Sequence, residues 1–113
     1  MTAKAIQRFE HGTSETVTCG LNLVPYLQSS ETISTIVGCS MATGGPTLSS
    51  IQRNSSAETM LGETVPQYQG ILFTSTGGTS GASYTGYIEF TTSTSNTKDV
   101  EFIIEVTAAN GVA

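Results

Sequence analysis

His11 is the only histidine of the 113 residues, and Cys19 and Cys39 are the only cysteines. A Cys–His pair can act as a nucleophile and its base, and a zinc site needs three or four such ligands. Here His11, Cys19 and Cys39 are the whole supply. Both cysteines fall on the apolar side of β-branched runs, where a thiol is an inert small hydrophobe and stays reduced. Asp99 is the single aspartate, and the eight glutamates are spread along the chain; calcium needs several carboxylates together. The run Gly77-Gly78-Thr79-Ser80-Gly81-Ala82-Ser83-Tyr84 has glycines enough for a phosphate loop. It lacks the lysine of such a loop and leads into a strand, not a helix. Its expected role is a tight corner in which Gly77, Gly78 and Gly81 take positive φ and the Tyr84 phenol bonds back to upstream backbone. Asn54-Ser55-Ser56 is a glycosylation triplet, expected by chance in so serine-rich a chain. These residues imply no metal, no cofactor and no enzymatic reaction.

The elements that would position these residues are strands. In residues 84–92, Tyr84, Ile88 and Phe90 share one face while Glu89 and Thr91 take the other. In residues 100–106, Val100, Phe102, Ile104 and Val106 alternate with Glu101 and Glu105. Such period-two patterning predicts two half-buried antiparallel strands, joined by the polar turn 93–98. Ile103 interrupts the polar face and is a candidate partner contact. Residues 15–19 read as a strand with Val17 and Cys19 inward. Residues 21–27 hold Pro25 and read as a turn or single helical turn that tucks Leu23, Tyr26 or Leu27 under the sheet. Residues 31–39 are a strand with Ile33, Val37 and Cys39 inward. Residues 47–53 and 69–74 are weaker strands, and Leu61 and Val65 suggest a short edge strand. No window carries apolar residues at helical spacing. Residues 1–13 read as an N-terminal arm with Phe9 as a candidate partner anchor, ahead of a sandwich over residues 14–113. About seven strands in about a hundred residues predict an all-β, immunoglobulin-like antiparallel sandwich.

Composition supports this class. Nearly three in ten residues are serine or threonine, and charged residues make up 12%, about half the usual fraction of roughly 25%. Threonine suits a pleated surface and serine suits turns. A net charge of −5 argues against nucleic acid and anionic membranes as partners, since both need a basic patch. No apolar run approaches the ~18 residues of a membrane span. The first residues lack the apolar stretch of an export signal, so a chain made in the cytoplasm is expected.

The order of motifs resembles a family. A strand ends in Val17-Thr18-Cys19, and a turn closes on Tyr26-Leu27. Glu31-Thr32-Ile33-Ser34 follows, then Gly77-Gly78-x-x-Gly81-x-x-Tyr84, an alternating strand ending Thr91-Thr92-Ser93, and a last strand ending Glu105-Val106. This resembles the small virion proteins of tailed bacteriophages known as fiber-tail adaptors, over residues 9 to 107. Gly20-Leu21 stands where that family has Asp-Trp, and the last hairpin is Ser-Asn-Thr in place of Asp-Gly-Arg. The resemblance implies a non-enzymatic, immunoglobulin-like part of the virion, assembled in the host cytoplasm. It would be present in several copies in a ring and would link tail fibers to connector or tail ring subunits. Two other classes use the same kind of sandwich: a capsid decoration or other head or neck protein, and a surface adhesin or carbohydrate-binding module.

Overall fold

The two best alternating stretches pair with each other. In a computed structural model, which describes residues 7–13, 15–60 and 62–107, β8 (Ser83–Thr92) and β9 (Thr97–Thr107) form an antiparallel hairpin. Ile88 and Phe90 on β8, and Val100, Phe102, Ile104 and Val106 on β9, are buried. The intervening residues face outward, as the alternation requires.

The hairpin is the centre of a four-stranded sheet with the order β1-β9-β8-β3. Strand β3 (Ile33–Met41) pairs antiparallel with β8, with register shifts after Ile33 and after Ile36. Each shift inserts one residue and reverses which side chains face inward. Ile33, Ile36, Cys39 and Met41 therefore meet the core, while Val37 is 54% exposed. The inward set expected from strict alternation, with Val37 in it, is corrected by these two bulges.

Strand β1 (Gln7–Gly12) runs parallel to β9 on the other side. Residues 7–12 of the expected arm are thus a strand of the sandwich, and residues 1–6 lie outside the described residues. Phe9 and His11 turn inward and alternate with exposed Arg8 and Glu10. A segment with a single large apolar residue forms a strand here because β9 offers it a complete edge to pair with. Phe9 is accordingly an internal anchor and not a free one.

The second sheet has the order β2-β7-β4, from β2 (Thr16–Asn22), β4 (Thr47–Arg53) and β7 (Gly70–Thr76). Its inward residues Cys19, Leu21, Ile71 and Phe73 close the core against the first sheet. Between β2 and β3 the chain makes one 3-10 turn over Val24–Tyr26, started by Pro25, with Leu23 fully buried beneath it. A hairpin of β5 (Glu58–Met60) and β6 (Glu63–Val65) covers one end. Met60 and Val65 are its buried residues; Leu61 lies outside the described residues. The seven strands of the two main sheets follow immunoglobulin-like order. β2, β7 and β4 take the places of strands B, E and D, β3, β8 and β9 those of C, F and G, and β1 lies beside the last strand.

Three rings join the sheets. Phe9 and Phe73 meet edge to face with centroids 5.7 Å apart, and Phe73 lies 5.1 Å from Phe102. Phe102 also needs room within its own sheet. Gly86 is its direct cross-strand partner, and a Cβ there would stand 2.5 Å from Phe102 Cζ and 3.0 Å from Met41 Cε. Gly86→Ala should therefore displace the ring and lower stability by about 1–3 kcal/mol, the usual cost of overpacking a core. Denaturant unfolding would register this as a lower midpoint at unchanged slope. An unchanged midpoint would show that the ring does not depend on the glycine.

Candidate functional site

The corner residues sit together at the start of β8. Gly77, Gly78 and Gly81 have φ of +87°, +95° and +85°. Gly78 is restricted twice, since a Cβ there would also lie 2.8 Å from Val106 Cγ2. The Tyr84 hydroxyl accepts the Thr79 N–H at 3.0 Å. The loop is stitched to β9 by Gly81 N–H to Val106 O at 2.8 Å and Val106 N–H to Ala82 O at 2.9 Å. Tyr84 is half-buried, so the corner is a surface brace. Removing the hydroxyl in Tyr84→Phe should cost about 0.5–1.5 kcal/mol, the net worth of one hydrogen bond, with the fold kept by circular dichroism. An unaltered melting midpoint would mean that the phenol braces nothing.

Three buried polar groups carry more structure than their sequence context announces. His11 on β1 reaches across the sandwich to Ser75 on β7, Nε2 to Oγ at 2.8 Å, while Nδ1 lies 2.8 Å from the Gly12 carbonyl. With Nδ1–H donating to that carbonyl, Nε2 accepts the Ser75 hydroxyl proton. The spacing is that of a serine–base pair, but both residues are buried, Ser75 completely. Its geometry is that of a polar bolt between sheets. Asn54 is fully buried and fully bonded: Nδ2 donates to Pro66 O at 2.8 Å and Ser56 O at 2.9 Å, and Oδ1 accepts Gly70 N–H at 3.0 Å. The amide of the glycosylation triplet is thereby committed to holding the β5–β6 hairpin.

Glu31 is the third such group, 1% exposed before β3. Its carboxylate accepts the Gln28 N–H at 2.8 Å, the Asn96 amide at 3.2 Å and the Thr94 hydroxyl, and lies 3.6 Å from Lys98 Nζ. Lys98 also donates to the Tyr26 carbonyl at 2.5 Å. These bonds tie the β2–β3 loop to the β8–β9 turn. Hydrogen bonds from Thr92, then Thr94 and the Gln28 backbone, hold the carboxyl down at about 2 against an ordinary 4.5. A depressed carboxyl stabilises the fold fully above the unfolded value and loses that contribution as pH falls through the folded one. The window here is about pH 4.5 to 2. Glu31→Gln should melt below the parent at neutral pH, and the gap should close as pH falls through that window. Parallel melting curves down to pH 2 would remove Glu31 from this role.

Among the described residues no group of three or more His, Cys, Asp or Glu is placed to hold a metal. Cys19 and Cys39 are unpaired, and burial pushes the Cys19 thiol up to about 11 and raises Cys39 as well. Neither is a ready nucleophile. What the fold presents instead is a surface. On the outer face of the four-stranded sheet, Glu10, Glu89, Asp99, Glu101 and Glu105 surround Tyr87, Val37 and half-buried Ile103. Among the described residues the cation on this face is Arg8, 3.2 Å from Glu105. Glu89 stands directly opposite Asp99, and Glu10 opposite Glu105. Like charges in such pairs destabilise a sheet, so the face keeps an arrangement that folding alone disfavours. Tyr87 is 48% exposed and borders a shallow depression of about 320 Å³ beside Glu89 and Asp99. Sequence patterning placed Ile103 here but missed the face, because its carboxylates come from three strands whose register the sequence does not state. No protein-family model and no curated protein matches this chain.

Proposed function

We propose that this chain is a non-enzymatic structural module of a tailed-phage virion. In this reading it is a fiber-tail adaptor that sits in several copies between tail fibers and the connector or tail ring. The observation that carries the reading is the acidic outer sheet face with its opposed carboxylates and exposed Tyr87. Large exposed apolar side chains within a patch of one charge suit a protein contact. The interior supports the same reading. Its buried side-chain polar atoms all have partners among the described residues, so the polar core braces the fold. The motif order from Val17 to Val106 supplies the link to virion proteins.

The experiment is quantitative mass spectrometry of purified particles of the encoding phage, with the wild-type chain and with Glu89→Gln. The wild-type chain should be present at several copies per particle. Glu89→Gln should raise the melting midpoint of the isolated protein by relieving the pair with Asp99, about 0.2–1 kcal/mol, and lower incorporation. A chain confined to the soluble fraction of the lysate, or a purified chain that turns over a substrate, would overturn the reading.

A further inference from the structure

We propose that the outer face of the four-stranded sheet docks an arginine-bearing segment of a different protein, with one guanidinium seated between Tyr87, Glu89 and Asp99. The proposal rests on the reading of this face as a protein contact and names what the contact takes. Two rows of side chains cross three strands at its centre. Gly38, Glu89 and Asp99 form one row, and Ser40, Tyr87 and Glu101 form the next. Neighbouring strands lie about 4.8 Å apart, so each side chain stands beside the next. At Gly38 the first row has no side chain, and a Cβ there would meet nothing within 4 Å. The depression of about 320 Å³ opens at that place, bordered by Ser40, Tyr87, Glu89 and Asp99. The register shift after Ile36 leaves Val37 exposed next to it.

The charge on this face selects a cation. Among the described residues the ion pairs are Arg8–Glu105 and Lys98–Glu31, so Glu89, Asp99 and Glu101 stand outside them. Glu89 and Asp99 repel as direct cross-strand neighbours, and a cation between them removes that cost. A divalent metal is a poor fit. Calcium takes about six to eight oxygens, and among the described residues no group of three or more His, Cys, Asp or Glu is placed to hold one. A guanidinium needs less. Its planar fork meets carboxylates, it is weakly hydrated, and it stacks on an aromatic face, whereas an ammonium is a strongly hydrated point charge. Tyr87, 48% exposed beside the pair, supplies the ring. Arg8 shows how the face takes such a group: it meets Glu105 at 3.2 Å from a position opposite Ile103.

The partner is a different protein because this chain has few cations to offer. Its four are Lys4, Arg8, Arg53 and Lys98. Arg8 belongs to the face itself. Arg53 donates to the Ile33 carbonyl at 2.9 Å and lies 3.9 Å from the centroid of the Tyr68 ring. Lys98 is held by Glu31 and the Tyr26 carbonyl. Even with Lys4 added, a second copy brings one charge, together with a net charge of −5 that repels the first. Exposed Val37 and half-buried Ile103 give the docked segment apolar area on the same face.

Heteronuclear NMR of the isotope-labelled full chain tests this. The probe is a capped peptide, Gly-Arg-Gly-Arg-Gly, with lysine and citrulline counterparts; citrulline keeps the shape of arginine and lacks its charge. The arginine peptide should shift the amides of Gly38, Ser40, Tyr87, Glu89 and Asp99 in a saturable manner. The lysine peptide should bind more weakly, and the citrulline peptide should leave those amides unmoved. Salt at about 1 M, where the Debye length falls to about 3 Å, should abolish the shifts. Asp99→Asn should weaken the arginine peptide about fivefold, and Tyr87→Leu about two- to fivefold. Both positions are exposed, so the folded variants remain comparable with the parent. Shifts from the lysine or citrulline peptide equal to those from arginine, shifts confined to other surfaces, or full affinity in both variants would overturn the proposal. A chain present in phage particles whose sheet face ignores the arginine peptide keeps the virion reading and removes this one. A chain absent from particles that binds the peptide at this face does the reverse.

Discussion

The fold depends on fitting one aromatic ring into a thin sandwich. Phe102 lies over Gly86 within its own sheet, meets Phe73 of the facing sheet, and lies 6.3 Å from Phe9 on the neighbouring strand. Aromatic pairs of this geometry add about 0.5–1.5 kcal/mol each beyond the area they bury. A chain with no tryptophan and four phenylalanines has few large groups from which to build a core. Three of the four gather at this point, and a glycine directly opposite provides the space. The recruitment of β1 follows from the same requirement, since Phe9 completes the ring cluster only from a strand beside β9.

The rest of the interior makes up for its small apolar content with satisfied polar groups. His11–Ser75 joins the sheets, Asn54 fixes the β5–β6 hairpin, and Glu31 with Lys98 ties two loops at one end of the sandwich. A buried charge or amide costs several kcal/mol when unpartnered and little when every lone pair and proton is bonded. Each hub therefore permits one loop arrangement and penalises others. Apolar contacts alone would leave loops rich in serine and threonine loosely specified.

Legibility in the sequence followed the regularity of the backbone. β8 and β9 alternate with Ile103 as the apolar exception on the outer face of β9, and their buried sets were readable residue by residue. β4 was readable in extent, since residues 47–53 form it, but its bulge near Ser50, with φ of +53°, places Leu48 and Ile51 three apart on one face. β3 misled at Val37 because two inserted residues leave no mark in the alternation. β1 was hidden because one phenylalanine and one histidine do not make a pattern, and its pairing is with the far end of the chain. Glu31 and Asn54 look like ordinary loop residues until the turns from distant sequence arrive around them. The acidic face was illegible for the same reason, being a product of register across strands. The corner from Gly77 to Tyr84 was legible because its chemistry is local: positive-φ glycines and a phenol five residues from its donor.

The edges connect this fold to its use. A sandwich with a thin core gains little from a deep pocket, because a cavity would remove scarce apolar contacts. In the proposed role, recognition would fall to outer faces and strand edges, where main-chain groups supply affinity without large side chains. The surface chemistry suits that division. Threonine hydroxyls are cheaper to desolvate than charges, and Thr16 and Thr18 lie on β2, whereas the carboxylates cluster on the opposite sheet. Bulges at β3 and β4 and charges on β1 close three edges to indiscriminate pairing. Among the described residues the edge of β2 carries neither device. That difference between the edges of the two main sheets arises from the same register and bulges that set the core.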